Sequence, residues 1–164
     1  MAGIVDRIVN LLKWPVGLLS LGLLPGVALG VFDVLRRVLN NPQPIVFFGA
    51  GFLLYYVAWL LFFRRRITGS LFSTFEHEFT HAIFVWLTLH RVRGLKATWN
   101  SGGEITWEGG KGNWLIYLAP YFFPTLTVPI VIYLVMVNGA APEWVDTLLG
   151  VTLAYHITST WKET

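Results

Sequence analysis

Residues 45–63 have the sequence IVFFGAGFLLYYVAWLLFF, an apolar stretch without a charged side chain. A helix needs about 20 such residues to cross the hydrocarbon core of a bilayer, so this stretch predicts a transmembrane helix. Arg64-Arg65-Arg66 follows at once. Basic residues collect on the cytoplasmic side of a span, and we therefore expect this end of the helix to face the cytoplasm.

The composition of the whole chain also indicates a membrane protein. Of its 164 residues, 55% are hydrophobic and 13% are charged, whereas an average soluble domain has roughly a quarter charged residues. A soluble chain this short would have too little polar surface to cover so many apolar side chains. The net charge of +3 then indicates basic residues beside membrane segments and no nucleic-acid partner. The sequence has no cysteine, which excludes disulfides and thiolate metal ligands.

Other apolar segments lie on both sides of this stretch. Residues 1–14 place apolar side chains on one helical face and predict an interfacial amphipathic helix. Residues 15–35 predict either a kinked span or a re-entrant hairpin that turns at Leu24-Pro25-Gly26. Further helices are predicted for three later segments, residues 70–90, 113–137 and 144–161. Prolines in residues 113–137 predict a kink in that helix. The expected fold is an all-α polytopic membrane protein of four or five spans, with residues 1–164 forming one domain.

Residues 91–112, between the third and fourth hydrophobic segments, differ in character. Lys96–Trp99 and Glu104–Trp107 alternate in polarity on either side of Asn100-Ser101-Gly102-Gly103, a pattern typical of a β-hairpin. We expect a small hairpin in this position. It serves either as an edge on which an extended peptide pairs or as a connector that Trp99 and Trp107 anchor at the interface.

The segment 70–90 contains the sequence His77-Glu78-Phe79-Thr80-His81. Residues four apart on a helix share one face, so His77 and His81 can direct their ring nitrogens at one metal ion. Glu78 lies beside them and can act on a water molecule near that metal. Such residues are costly in a membrane unless they face a protein interior or bind a ligand. The pattern indicates a zinc site, and the alternative is a polar stripe that joins helices.

The segment Phe75–Ala82, inside a predicted span and followed by a Gly-Gly hairpin, resembles the site-2 protease class of intramembrane zinc metalloproteases, the M50 type. The resemblance covers about residues 70–161. It implies bound Zn²⁺, His77 and His81 as ligands, and Glu78 as the catalytic base. It also implies that the protein works in the lipid bilayer on peptide bonds of transmembrane protein substrates.

The bacterial origin of the look-alikes implies an integral protein of the inner (cytoplasmic) membrane. Two other functions remain open at the level of sequence. One is a catalytically inactive M50-like membrane scaffold or regulator, and the other is a divalent-metal transporter.

A catalytic zinc ion also needs a third protein ligand. The resemblance implies an aspartate from a later span, but the usual motif for it is absent from this sequence. Asp146 and His156 are the candidates, about 15 Å apart along one helix. If the third and fifth helices run parallel, His156 lies at about the depth of His81, which makes it the predicted third ligand. A residue beyond the C-terminus is the remaining alternative.

Three other polar residues have weaker patterns. His90 lies off the face of His77 and His81 and borders a basic loop, which predicts a surface residue. Asn113 and Asn138 have the chemistry to bind an oxyanion, but nothing in their spacing favours that role.

Overall fold

The computed structural model describes residues 1–63, 70–99, 102–138 and 141–163, which are mostly helical. In chain order the elements are α1 (Ala2–Asn40), α2 (Gln43–Ala58), α3 (Ser70–Leu87), β1 (Arg91–Ala97), β2 (Gly103–Glu108), α4 (Trp114–Phe122), α5 (Thr127–Met136) and α6 (Glu143–Glu163). Helix α2 continues as a π-helical turn over Trp59–Phe63. The prediction of a helical fold with a hairpin after the third helix is confirmed. The basic run Arg64-Arg65-Arg66 and the hairpin residues Asn100-Ser101 lie outside the described residues.

Helix α1 differs from the prediction for the N-terminal residues. Residues 1–14 and 15–35 belong to one continuous helix that contains Pro15 and Pro25. The re-entrant hairpin at Leu24-Pro25-Gly26, one of the two alternatives for residues 15–35, is therefore wrong. The interfacial position of residues 1–14 stays a prediction. Most apolar side chains of this helix are exposed. In lipid, a turn would leave backbone groups without partners, whereas a helix satisfies them internally, which favours continuation through both prolines.

Two helices are long and apolar enough to cross a membrane, Ala2–Asn40 and Gln43–Phe63. Helices α4 and α5 make a third candidate if they count as one span bent by 77°. Their break contains Pro124, as the prolines of this segment predicted. No other helix in the described ranges meets these criteria, so the count of four or five spans is not confirmed. Helices α3 and α6 fall short because polar side chains, such as those of Glu78 and His156, interrupt their apolar residues.

Helices α2 and α6 run side by side in the same direction. Gln43 hydrogen-bonds Glu143 near the start of both helices. Further along, Tyr55 packs edge-to-face on Tyr155, with ring centroids 5.9 Å apart.

Two glycines bring the backbones of α2 and α6 into contact. A Cβ on Gly51 would lie 2.0 Å from the carbonyl oxygen of Thr147, and a Cβ on Gly150 would lie 2.0 Å from that of Phe48. Any side chain at either position would therefore push the helices apart. Close helix contacts through small residues are typical of proteins in lipid, where dispersion forces hold helices together.

A small apolar core forms where α3, the hairpin and α4 meet. Its buried members are Phe84, Val85, Ile116 and Ala119. Partly buried side chains of the hairpin, including Val92 and Ile105, pack against them. This core fixes the distance between α3 and α4.

The hairpin is antiparallel, with Arg91 opposite Glu108 and Ala97 opposite Gly103. The register shifts between Val92 and Gly94. The hydrogen bond from Arg93 lowers the pKa of the Glu108 carboxyl group. Because both side chains are about half exposed, water screens the pair and it adds little to stability.

Candidate metal centre

The two histidines of the motif face each other on α3. His77 Nε2 and His81 Nε2 are 3.2 Å apart, and the ring planes are inclined by 77°. Two nitrogens bound to one zinc ion at about 2.0–2.1 Å in tetrahedral geometry lie roughly 3.3 Å apart. The histidine pair therefore fits two ligand positions of one zinc ion.

A backbone carbonyl of α4 orients the ring of His81. His81 Nδ1 lies 2.6 Å from the carbonyl oxygen of Ile116, and because a carbonyl only accepts, Nδ1 carries the proton. In a neutral imidazole the other nitrogen is then an acceptor, so Nε2 carries the lone pair that a metal ligand needs. Histidines that bind metals commonly direct their second nitrogen at such a carbonyl.

Glu78 lies beside the histidine pair and is 8% exposed. It borders a cavity of about 230 Å³ whose lining residues are Thr74, His77, Glu78, Gly102, Gly103 and Tyr121. Liquid water occupies about 30 Å³ per molecule, so the cavity has room for several waters or for part of a peptide. A carboxylate and a histidine ring thus share one cavity.

The hairpin approaches Glu78 more closely than any residue with a side chain would allow. A Cβ on Gly103 would lie 2.4 Å from Glu78 Cγ and 2.6 Å from Glu78 Oε1. Tyr121 covers another side of the cavity, with its ring centroid 5.9 Å from that of His77. The site is therefore formed by α3, the start of β2 and the end of α4.

The break between α4 and α5 is tied to the same helix. Thr80, which is fully buried, donates to the carbonyl oxygen of Glu76 at 2.8 Å and hydrogen-bonds Thr125 in the break. The bend of this helix pair therefore lies against the middle of α3, next to His81.

In a comparison with models of protein families, residues 50–162 match the model described as Peptidase M50B-like. That range is more than half of the 164 residues. The chain belongs to the Peptidase M50B-like family. The resemblance inferred from the motif is confirmed, and the match includes α3, the hairpin and α4. Searches of curated proteins and of solved structures found no match.

A third ligand would have to come from outside the histidine pair of this M50B-like protein. Within the described ranges, no three His, Cys, Asp or Glu residues form a group that could hold a metal ion. Ser73 Oγ lies 2.8 Å from Ser159 Oγ, which brings the start of α3 to the end of α6. The starts of α3 and α6 therefore do not lie side by side, which was the arrangement that favoured His156. The ligand role of His156 stays a prediction.

His90 is not a surface residue of the M50B-like protein, contrary to the prediction. Its side chain is fully buried, with Nε2 at 3.1 Å from Asp6 Oδ2 and Nδ1 at 3.1 Å from Thr88 Oγ1. The beginning of α1 packs over it. No sequence pattern predicts this contact, because the two residues are 84 positions apart.

Asn113 has a structural role at the start of α4. Its side-chain oxygen accepts from the backbone N–H of Ile116 at 3.4 Å, and its amide nitrogen donates to Asp6 Oδ1 at 2.8 Å. An asparagine directly before an apolar helix is a known N-cap signal, so the capping role could have been predicted from sequence. The bond to Asp6 could not.

Proposed function

We propose that this M50B-like protein is a zinc-dependent intramembrane endopeptidase that hydrolyses peptide bonds of transmembrane protein substrates. The observation that carries the proposal is the facing pair of His77 and His81, with Nε2 atoms 3.2 Å apart and one ring fixed by the Ile116 carbonyl. Membership of a peptidase family supports the type of reaction. The candidate membrane spans support a site of action in lipid.

His77 and His81 would hold Zn²⁺, which when bound polarises a carbonyl group and lowers the pKa of water. Glu78 acts as the general base that takes a proton from the attacking water, and it later delivers a proton to the leaving amine. Its burial under Gly103 keeps the carboxylate away from bulk water. Tyr121 limits the cavity on the side of His77.

The substrate would reach Glu78 along the hairpin. Gly102 and Gly103 line the same cavity as the catalytic carboxylate. A peptide that pairs with the hairpin as an added strand is extended, and its peptide bonds are then open to attack. A substrate helix would have to unwind locally before it could bind in this way.

Zinc content gives the first test of the proposal. The purified full chain, dialysed in detergent against buffered zinc, is expected to hold about one zinc ion per chain, since two ligand positions are already formed. His77→Ala removes one of them and is expected to release the metal. Thr74→Ala is the matched control, because Thr74 lines the same cavity and lies about one turn before His77.

A parent chain that holds no zinc under these conditions would refute the proposal. Zinc that stays bound in His77→Ala would show that the metal lies elsewhere. Zinc flux into vesicles that contain the protein, without cleavage of any substrate, would favour a transporter instead.

We propose His156 of α6 as the third ligand. The proposal is supported by the contact between Ser159 and Ser73, from which His156 and His77 each lie about one helical turn along their helices. His156→Ala is expected to weaken zinc binding at least about tenfold, because it leaves the ion with too few protein ligands. Asp146→Ala is the control, expected to bind zinc like the parent in a competition titration with a chelator. Weaker zinc binding in Asp146→Ala, with parent affinity in His156→Ala, would assign the ligand role to Asp146.

A further inference from the structure

The start of α1 is fixed to the loop before α4 by a buried carboxylate. Ala2 and Asp6 are the buried residues of this helix. Asp6 Oδ2 accepts from the backbone N–H of Gly112 at 3.1 Å and from His90 at 3.1 Å, while Oδ1 accepts from Asn113 at 2.8 Å. The carboxylate thus has three donors on residues that precede α4 in the fold.

The contact extends along one more turn of α1. Trp114 Nε1 donates to the carbonyl oxygen of Val9 at 2.7 Å, and its backbone N–H donates to Asn10 Oδ1 at 3.2 Å. These residues of α1 precede the range that matches the family model, which begins at residue 50. A helix outside the matched range is therefore joined to the first turn of α4.

Three hydrogen bonds, connected through the side chain of Asn113 and the backbone of Ile116, lead from Asp6 to the histidine pair. The Asn113 amide donates to Asp6, and the Asn113 oxygen accepts from the N–H of Ile116. The carbonyl of the same residue, Ile116, accepts from His81 Nδ1 at 2.6 Å. Because Asp6 can only accept while ionised, it forces the amide nitrogen of Asn113 toward itself and the oxygen toward α4.

We infer that Asp6 and Asn113 are positioning residues for the metal ligand His81, an inference that rests on the proposed function. Together they fix the first turn of α4 and with it the direction of the Ile116 carbonyl. That carbonyl sets both the tautomer and the ring orientation of His81. The beginning of α1 is thus part of the structure that forms the metal site, although it lies outside the family match.

The two side chains can be exchanged to test this inference. Asp6→Asn alone replaces one carboxylate oxygen, which accepts hydrogen bonds, with an amide nitrogen, which can only donate. At least one of the three groups that donate to Asp6 then loses its acceptor. Asn113→Asp alone brings two carboxylates face to face. The double variant Asp6→Asn with Asn113→Asp restores every donor–acceptor pair, because the amide and the carboxylate simply change places.

Metal affinity is the readout, since it does not depend on finding a substrate. The full chain is purified in detergent, zinc affinity is measured by competition with a chelator, and Co²⁺ is substituted to record its visible absorption. Each single variant is expected to lose about 10–100-fold in zinc affinity, the usual effect of removing a partner of a ligand. The Co²⁺ spectrum is expected to change as His81 turns. The double variant is expected to return toward the parent in both measurements.

Two controls separate positioning from general stability. Asp33→Asn makes the same chemical change at an exposed position of α1 and is expected to bind zinc like the parent. Trp114→Phe removes the bond to Val9 without touching Asp6 or Asn113. It is expected to lower the thermal unfolding temperature and to leave zinc affinity unchanged.

Parent affinity in both single variants would overturn the inference, and so would a folded double variant that binds as weakly as the single ones. Equal losses in Trp114→Phe and Asp6→Asn would also overturn it, because the role would then be structural. If a single variant does not fold, the double variant alone decides. A parent chain that binds no zinc refutes the proposed function itself, which distinguishes that failure from the others.

Discussion

Glu78→Gln is expected to lower the rate of peptide-bond hydrolysis by about 10²–10⁴-fold, the range that a general base contributes, and to leave the zinc content unchanged. Glutamine keeps the size of the side chain but cannot take a proton from water. The facing nitrogens of His77 and His81 are not altered, so the metal stays bound. Loss of the reaction with retention of the metal is the specific signature of the missing base.

The measurement uses a panel of single-span membrane proteins reconstituted with the purified chain in phospholipid vesicles. New chain ends are identified by mass spectrometry, and zinc is counted in the same samples. Glu104→Gln is the control, since Glu104 is an exposed carboxylate of β2 near the same site. Cleavage by Glu78→Gln at the parent rate would falsify the mechanism.

Gly103→Ala is expected to reduce cleavage by about 100-fold, because displacing a catalytic group by about 1 Å has an effect of this order. The added methyl group would lie 2.4 Å from Glu78 Cγ, so either the carboxylate or the hairpin must move. Neither movement involves His77 or His81, and zinc content should therefore stay at the parent value.

Gly94→Ala is the matched control for this variant. It makes the same change in the same hairpin, and its nearest neighbour is the exposed Thr106 side chain at 3.1 Å, which can rotate away. The same cleavage assay is used for both variants. An equal loss in both would mean that the hairpin as a whole is damaged, and parent activity in Gly103→Ala would remove Gly103 from the site.

Features that depend on neighbours along the chain could be predicted from the sequence. The spacing of His77 and His81 is a property of a single helix, and the hairpin follows from alternating polarity around Gly102-Gly103. The family itself could be inferred from this motif. Pro124 likewise indicated the break between α4 and α5, because proline removes a helical hydrogen bond and its ring clashes with the preceding turn.

Features that depend on distant contacts could not be predicted. Every residue has a carbonyl group, so no side-chain pattern could single out Ile116 as the partner of His81. The burial of His90 depends on Asp6, 84 positions away. Helix α1 continues through Pro15 and Pro25, which the usual rule that proline interrupts a helix does not predict.

The glycine contact between α2 and α6 bears on how the chain enters the bilayer during synthesis. Ionisable side chains such as Asp146 and His156 make the transfer of an isolated α6 from the translocon into lipid costly. Helix α2 is made earlier and is apolar enough to insert alone, and Gly51 and Gly150 let the later helix lie directly on its backbone. Any transfer of α6 into lipid would therefore require α2 as a partner already present in the membrane.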